Sequence, residues 1–115
     1  MIVWTVTNDD MVLTIKFDNI KNSCCMQLKP DRIIDNIDNT GLQYIYNDDN
    51  TFLTVRFIDD RDDVLMTWKS KFFKHKFVLN ENVFSDFYDC LINHKLNHTC
   101  DYFSDMRVTI PTIHY

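Results

Sequence analysis

Cys90, His94, His98 and Cys100 come nearest, by type and spacing, to a metal site in this chain. On a helix, positions 90, 94 and 98 fall on successive turns of one stripe, so their side chains can converge. Cys100 follows two residues later, where a loop can fold back. Two thiolates and two imidazoles make a tetrahedral zinc set, and a His-x3-His spacing suits it. The paired Cys-x2–4-Cys half of such sites is missing, however. The stripe also has a plainer reading: Phe84, Phe87 and Leu91 lead straight into 94 and 98, so the histidines cap an apolar face and the cysteine serves as a small hydrophobe. The expectation is no bound metal and no cofactor.

The second constellation is Trp68-Lys69-Ser70-Lys71-Phe72-Phe73-Lys74-His75-Lys76-Phe77. Four lysines among aromatic rings can contact phosphates while the rings stack on bases, which is how single-stranded nucleic acid is held. The same pattern describes an edge strand whose lysines block pairing with another sheet while its aromatics face the core. The chain carries a net charge of −5, and nucleic-acid binding ordinarily needs a broader basic patch. Trp68, Lys69, Lys71, Phe73, Lys74 and Lys76 are therefore taken as the candidate binding surface, for a protein partner first and for nucleic acid as the alternative.

Three acidic turns complete the set: 8–10, 47–50 and 59–63. They can line one end of a sheet as a negative rim for a basic partner, or simply be solvated hairpin tips, which is the reading preferred here. They lack the glycine and terminal glutamate of an EF-hand loop. Catalysis has little to work with. Ser23, Ser70, Ser85 and Ser104 sit in no nucleophile-elbow context, and one glycine in the whole chain leaves no loop to cradle a phosphate. Cys90 and His94 lie one helical turn apart, but no oxyanion hole accompanies them. The chain reads as non-enzymatic.

The elements that must position these residues are mostly strands. Ile2, Trp4 and Val6, then Met11, Leu13, Ile15 and Phe17, alternate with polar or β-branched residues on either side of a polar turn, predicting a hairpin. Cys24, Met26 and Leu28 share one face of a further strand, leaving Cys25 on the other. Pro30, the spacing of Ile33, Ile34 and Ile37, and Gly41 beyond them predict a short helix. Leu42–Tyr46, with Leu42, Tyr44 and Tyr46 on one face, opens a meander. It continues through 51–58, where Leu53, Val55 and Phe57 point one way, and then through Val64, Met66 and Trp68 and on to 72–79. Asn80 is a good N-cap and Glu81 suits the first turn of a helix. Val83, Phe84, Phe87, Tyr88 and Leu91 give that helix an apolar stripe running to about Lys95. Met106–Ile110 closes the chain as a strand. The fold class is α+β: a mostly antiparallel sheet of about seven strands with one principal C-terminal helix packed on it. The 115 residues form a single globular domain in this reading.

Composition supports the strand count. Alanine is absent, Glu81 is the only glutamate, and β-branched and aromatic residues abound. Two strong helix formers are thus nearly missing, while strand formers are plentiful. Aspartate and asparagine supply the bends that glycine and proline usually make. Scarce Ala, Gly and Pro beside plentiful Asn, Ile, Lys, Phe and Tyr is the signature of an AT-rich coding sequence, read here as that of a large DNA virus. No secretory or membrane-spanning run opens the chain. Cys24, Cys25, Cys90 and Cys100 are accordingly expected as four reduced thiols in an intracellular protein, in host cytoplasm or nucleus. The function expected is that of a small viral accessory or structural protein. It would dock on another protein, or on a second copy of itself, through an exposed sheet face or edge, without involving a membrane.

Overall fold

The computed structural model describes residues 2–9, 12–18, 23–58, 62–97 and 106–108. Among them the chain forms nine strands in two antiparallel sheets and one long helix, the α+β class read from the sequence. The first sheet holds β1 (Ile2–Asp9), β2 (Val12–Asp18), β3 (Ser23–Leu28) and β9 (Met106–Val108), in the order β3-β2-β1-β9. The second is a plain meander of β4 (Ile33–Ile37), β5 (Gln43–Asp48), β6 (Thr51–Phe57), β7 (Asp63–Ser70) and β8 (Lys74–Asn80). Helix α1 (Glu81–Asn97) follows β8 directly. Asn80 caps it: its Oδ1 accepts from the Asn82 N–H at 2.9 Å, while the Glu81 N–H donates to the Asp62 carbonyl. Two of the N–H groups that a helix start leaves unbonded are thereby satisfied.

Alternation sorts the side chains as strand geometry requires. Leu13 and Ile15 of β2, and Cys24, Met26 and Leu28 of β3, are buried, whereas Cys25 and Gln27 are exposed. On β6, β7 and β8 the inward rows are Leu53 and Val55, then Val64, Met66 and Trp68, then Phe77 and Leu79, matched across the strands by register. From α1, Phe84, Phe87, Cys90 and Leu91 enter the same cluster as the buried residues of both sheets. The helix and the first sheet therefore share the inner face of the meander.

Two local expectations change. Residues 30–37 form a 3-10 turn at Pro30–Arg32 and then strand β4, not a short helix. Ile33 and Ile34 are β-branched and stiff at χ1, and β5 offers a partner strand, so the backbone extends. Gly41, at φ 84°, belongs to the β4–β5 turn. There the Asp38 carboxylate accepts from the Thr40 N–H, the Thr40 hydroxyl and the Leu42 N–H at 2.6–3.1 Å. On β5 the register against β6 slips between Tyr44 and Tyr46. This bulge turns both Ile45 and Tyr46 inward, so Tyr44 and Tyr46 do not share a face.

Candidate functional site

The lysine-aromatic segment spans β7, its turn and β8, and the register splits it between two faces. Trp68 pairs with His75 and Met66 with Phe77 on the inner face, whereas Lys69 pairs with Lys74 and Thr67 with Lys76 on the outer one. Trp68 is only 4% exposed. It packs at 5.8 Å from Tyr46 and 6.1 Å from Phe73, whose ring lies 5.3 Å from that of His75. The candidate set thus separates into an aromatic inner part (Trp68, Phe73) and a basic outer part (Lys69, Lys74, Lys76). Lys71 stays at the turn between them.

That turn is tightly made. The Ser70 N–H donates to the Phe73 carbonyl at 3.0 Å, and the Ser70 hydroxyl oxygen accepts from the Phe72 N–H at 3.1 Å. The Phe73 ring packs beside Trp68 and is 37% exposed, while Phe72 stands out further with 85% of its surface exposed. The Lys71 ammonium lies 5.3 Å from the Phe72 ring centroid, within cation–π range. Sequence reading did not single out Phe72. Two adjacent phenylalanines look alike until the turn seats one ring against Trp68 and leaves the other far more exposed.

Register also gives the outer face of the meander. One row runs Asn47, Phe52, Lys69, Lys74; the next runs Tyr44, Thr54, Thr67, Lys76; a third holds Arg56, Leu65 and Val78. Val78 is buried yet lies outside the core cluster, and Thr54 and Thr67 on this face are buried as well. Lys69 and Lys74, directly opposite one another, place two like charges side by side, an arrangement that costs sheet stability.

Beside the inward half of the segment lies a cleft of about 440 Å³ lined by Cys25, Gln27, Asp48, Thr51, Trp68 and Phe73. It sits where the edge strand β3 of the first sheet meets the end of the second. Its carboxylate, Asp48, accepts a 3.3 Å hydrogen bond from the Tyr46 hydroxyl, which in turn accepts from the Lys29 N–H at 3.2 Å. Burial raises the Tyr46 pKa, and the nearby Asp48 charge adds to the rise.

The acidic turns do not form one rim. Successive turns of a meander alternate between its two ends, so 47–50 lies beside the Lys71–Phe73 turn while Asp62 and Asp63 lie at the opposite end. Residues 10 and 59–61 fall outside the described residues. Asp49, in the left-handed region at φ 51° where aspartate is tolerated, pairs with Arg32 at 3.7 Å.

Of the possible zinc ligands, Cys90 and His94 are both fully buried on α1, as the stripe reading requires. His98 and Cys100 lie outside the described residues. Among the described residues no three His, Cys, Asp or Glu side chains group closely enough to hold a metal ion. Cys90 is disulfide-bonded, so the expectation of four reduced thiols fails there, and its sulfur is not available as a thiolate ligand. Cys24 and Cys25 are free. Because disulfides persist mainly in oxidising surroundings, the thiols no longer argue for an intracellular location. No described helix is long and apolar enough to cross a membrane.

Comparison with known proteins gives no relative: no family model matches the chain, and neither does any curated protein or solved structure.

Proposed function

We propose that this chain is a non-enzymatic protein-interaction module that docks on an acidic protein surface through the β7–β8 turn and the Lys69–Lys74 pair beside it. One observation carries the reading: Phe72 stands almost fully exposed at the turn, beside Lys71 and next to the opposed Lys69 and Lys74. Aromatic side chains are enriched among the residues that carry binding energy at protein interfaces, and the cations beside this one add charge recognition. The lysine pair supplies steering toward negative charge.

The division of the segment between faces favours protein over nucleic acid. Trp68 is committed to the core, and His75 and Phe77 share its face, so they are not on the lysine side as stacking platforms. A strand-rich accessory protein of a large DNA virus, as the composition suggests, fits such a role.

The test compares a fluorescent polyglutamate peptide with a single-stranded oligonucleotide of equal charge by anisotropy. The peptide should bind, and Phe72→Ala or the Lys69→Ala/Lys74→Ala pair should each weaken it by about tenfold, the size of a hot-spot truncation. Tighter binding of the oligonucleotide, falling steeply with salt, would transfer the function to nucleic acid.

A further inference from the structure

We infer that the acidic surface which receives this turn is that of a second copy of the chain: the Lys71–Phe72 tip of one protomer enters the Asp48–Trp68–Phe73 cleft of the other. The inference rests on the function proposed above and names its partner. Tip and cleft are complementary in kind. The tip is an aromatic ring with an ammonium beside it. The cleft offers the Phe73 ring, 37% exposed, and a carboxylate, Asp48, while Trp68 also lines it but is only 4% exposed. It is an open depression of about 440 Å³ that a ring can enter from outside.

They also lie side by side at one end of the molecule, since Phe73 walls the cleft and Phe72 is the next residue in the chain. This adjacency matters. A two-fold interface uses the same patch on both partners, so a projection and its receptor must be neighbours for both contacts to form at once. The Ser70 hydrogen bonds to the Phe72 N–H and the Phe73 carbonyl close the turn that carries the tip, where the Phe72 ring is 85% exposed. Across the two-fold axis, each Phe72 ring packs on the other copy's Phe73, an aromatic pairing, and each Lys71 ammonium meets the other copy's Asp48. With a whole-molecule charge of −5, two copies repel in general, and the tip places cations where they meet a carboxylate. Such a contact is smaller than a standard interface, so the dimer is weak, with a dissociation constant on the order of 10–100 µM.

Sedimentation velocity over roughly 1 to 500 µM tests this, bracketing that expected constant. The wild type should pass from monomer to dimer, and Phe72→Ala should stay monomeric with an unchanged melting temperature. Asp48→Lys and Lys71→Glu, each alone, should be monomeric, because each sets like charges together twice. Mixed in equal amounts, they should form a heterodimer, since both tip–cleft contacts then join opposite charges. An unfolded variant cannot give that rescue. A wild type that stays monomeric throughout, a dimer that survives Phe72→Ala, or a mixture that does not associate overturns the inference. If the dimer is absent but Phe72-dependent peptide binding persists, the function proposed above stands and only the identity of the partner is wrong.

Discussion

At the scale of single residues, the adjacent Cys24 and Cys25 show how alternation on a strand sets chemistry. Cys24 is turned into the core, and burial, followed by the neighbouring Cys25, pushes its thiol pKa up to about 11. Cys25 faces out at the rim of the cleft. Because the thiolate is the reactive species, iodoacetamide at mildly alkaline pH should modify Cys25 first, with Cys24 slower by more than about tenfold until the chain is unfolded. Peptide mass spectrometry reads this directly; equal labelling would mean that β3 does not present its faces as described. The same reasoning separates Phe72 from Phe73. Their order in the sequence is silent about which is exposed, and only the closed turn decides it.

At the scale of elements, helix α1 and the β7–β8 hairpin answer to different forces. The helix is held by an apolar stripe that joins both sheets, with Phe87 fully buried at its middle. Phe87→Ala should lower unfolding free energy by about 3–5 kcal/mol, the range for truncating a large buried side chain. Phe72→Ala should change it by no more than about 0.5 kcal/mol, as for other surface positions. Urea denaturation of the two variants measures both. A large cost at Phe72 would show that its ring serves the fold and not a partner. The helix was legible from residues 80–95 because cap, dipole and stripe agree there. Residues 30–37 misled because Pro30 and the isoleucine spacing signal a helix, while the β-branched side chains and a waiting strand favour β4.

At the scale of the whole molecule, the helix, the two sheets and the strand end at Leu28 are tied by a few buried or half-buried phenols. Tyr88 donates to Asp35 Oδ2 at 2.9 Å, and Asp35 Oδ1 accepts from the Gln43 amide at 2.8 Å, linking α1 to β4 and β5. Burial, then the Asp35 hydrogen bond, push Tyr88 up to about 12, and Tyr46 is raised as well, first by burial. The neutral phenols are the forms the fold prefers. Their contribution is therefore complete below the unfolded tyrosine value of about 10 and is lost as pH climbs toward the folded value of about 12. Urea midpoints should hold steady from neutral pH to about 9.5, just under that unfolded value, and fall above it. Tyr88→Phe should show a shallower fall, and an identical profile for both proteins would remove Tyr88 as a cause.

The sequence by itself determined the local state of most of the chain: which stretches alternate, where the helix begins and which of its residues form the apolar stripe. These follow from side-chain periodicity and backbone preference, which act over a few residues and are written in order along the chain. It did not determine the division into a four-stranded and a five-stranded sheet, because β9 pairs with β1 across almost the whole chain. Nor could it place the 47–50 turn beside the Lys71–Phe73 turn and Asp62 and Asp63 at the far end, since that follows from the count of strands between them. The Asp48–Trp68–Phe73 cleft has walls from four separate strands and a turn, so it exists only once both sheets have packed. The lysines and aromatics were visible as a cluster from the start; that they part to opposite faces, leaving Phe72 the most exposed of the rings, was decided by strand register and the core it serves.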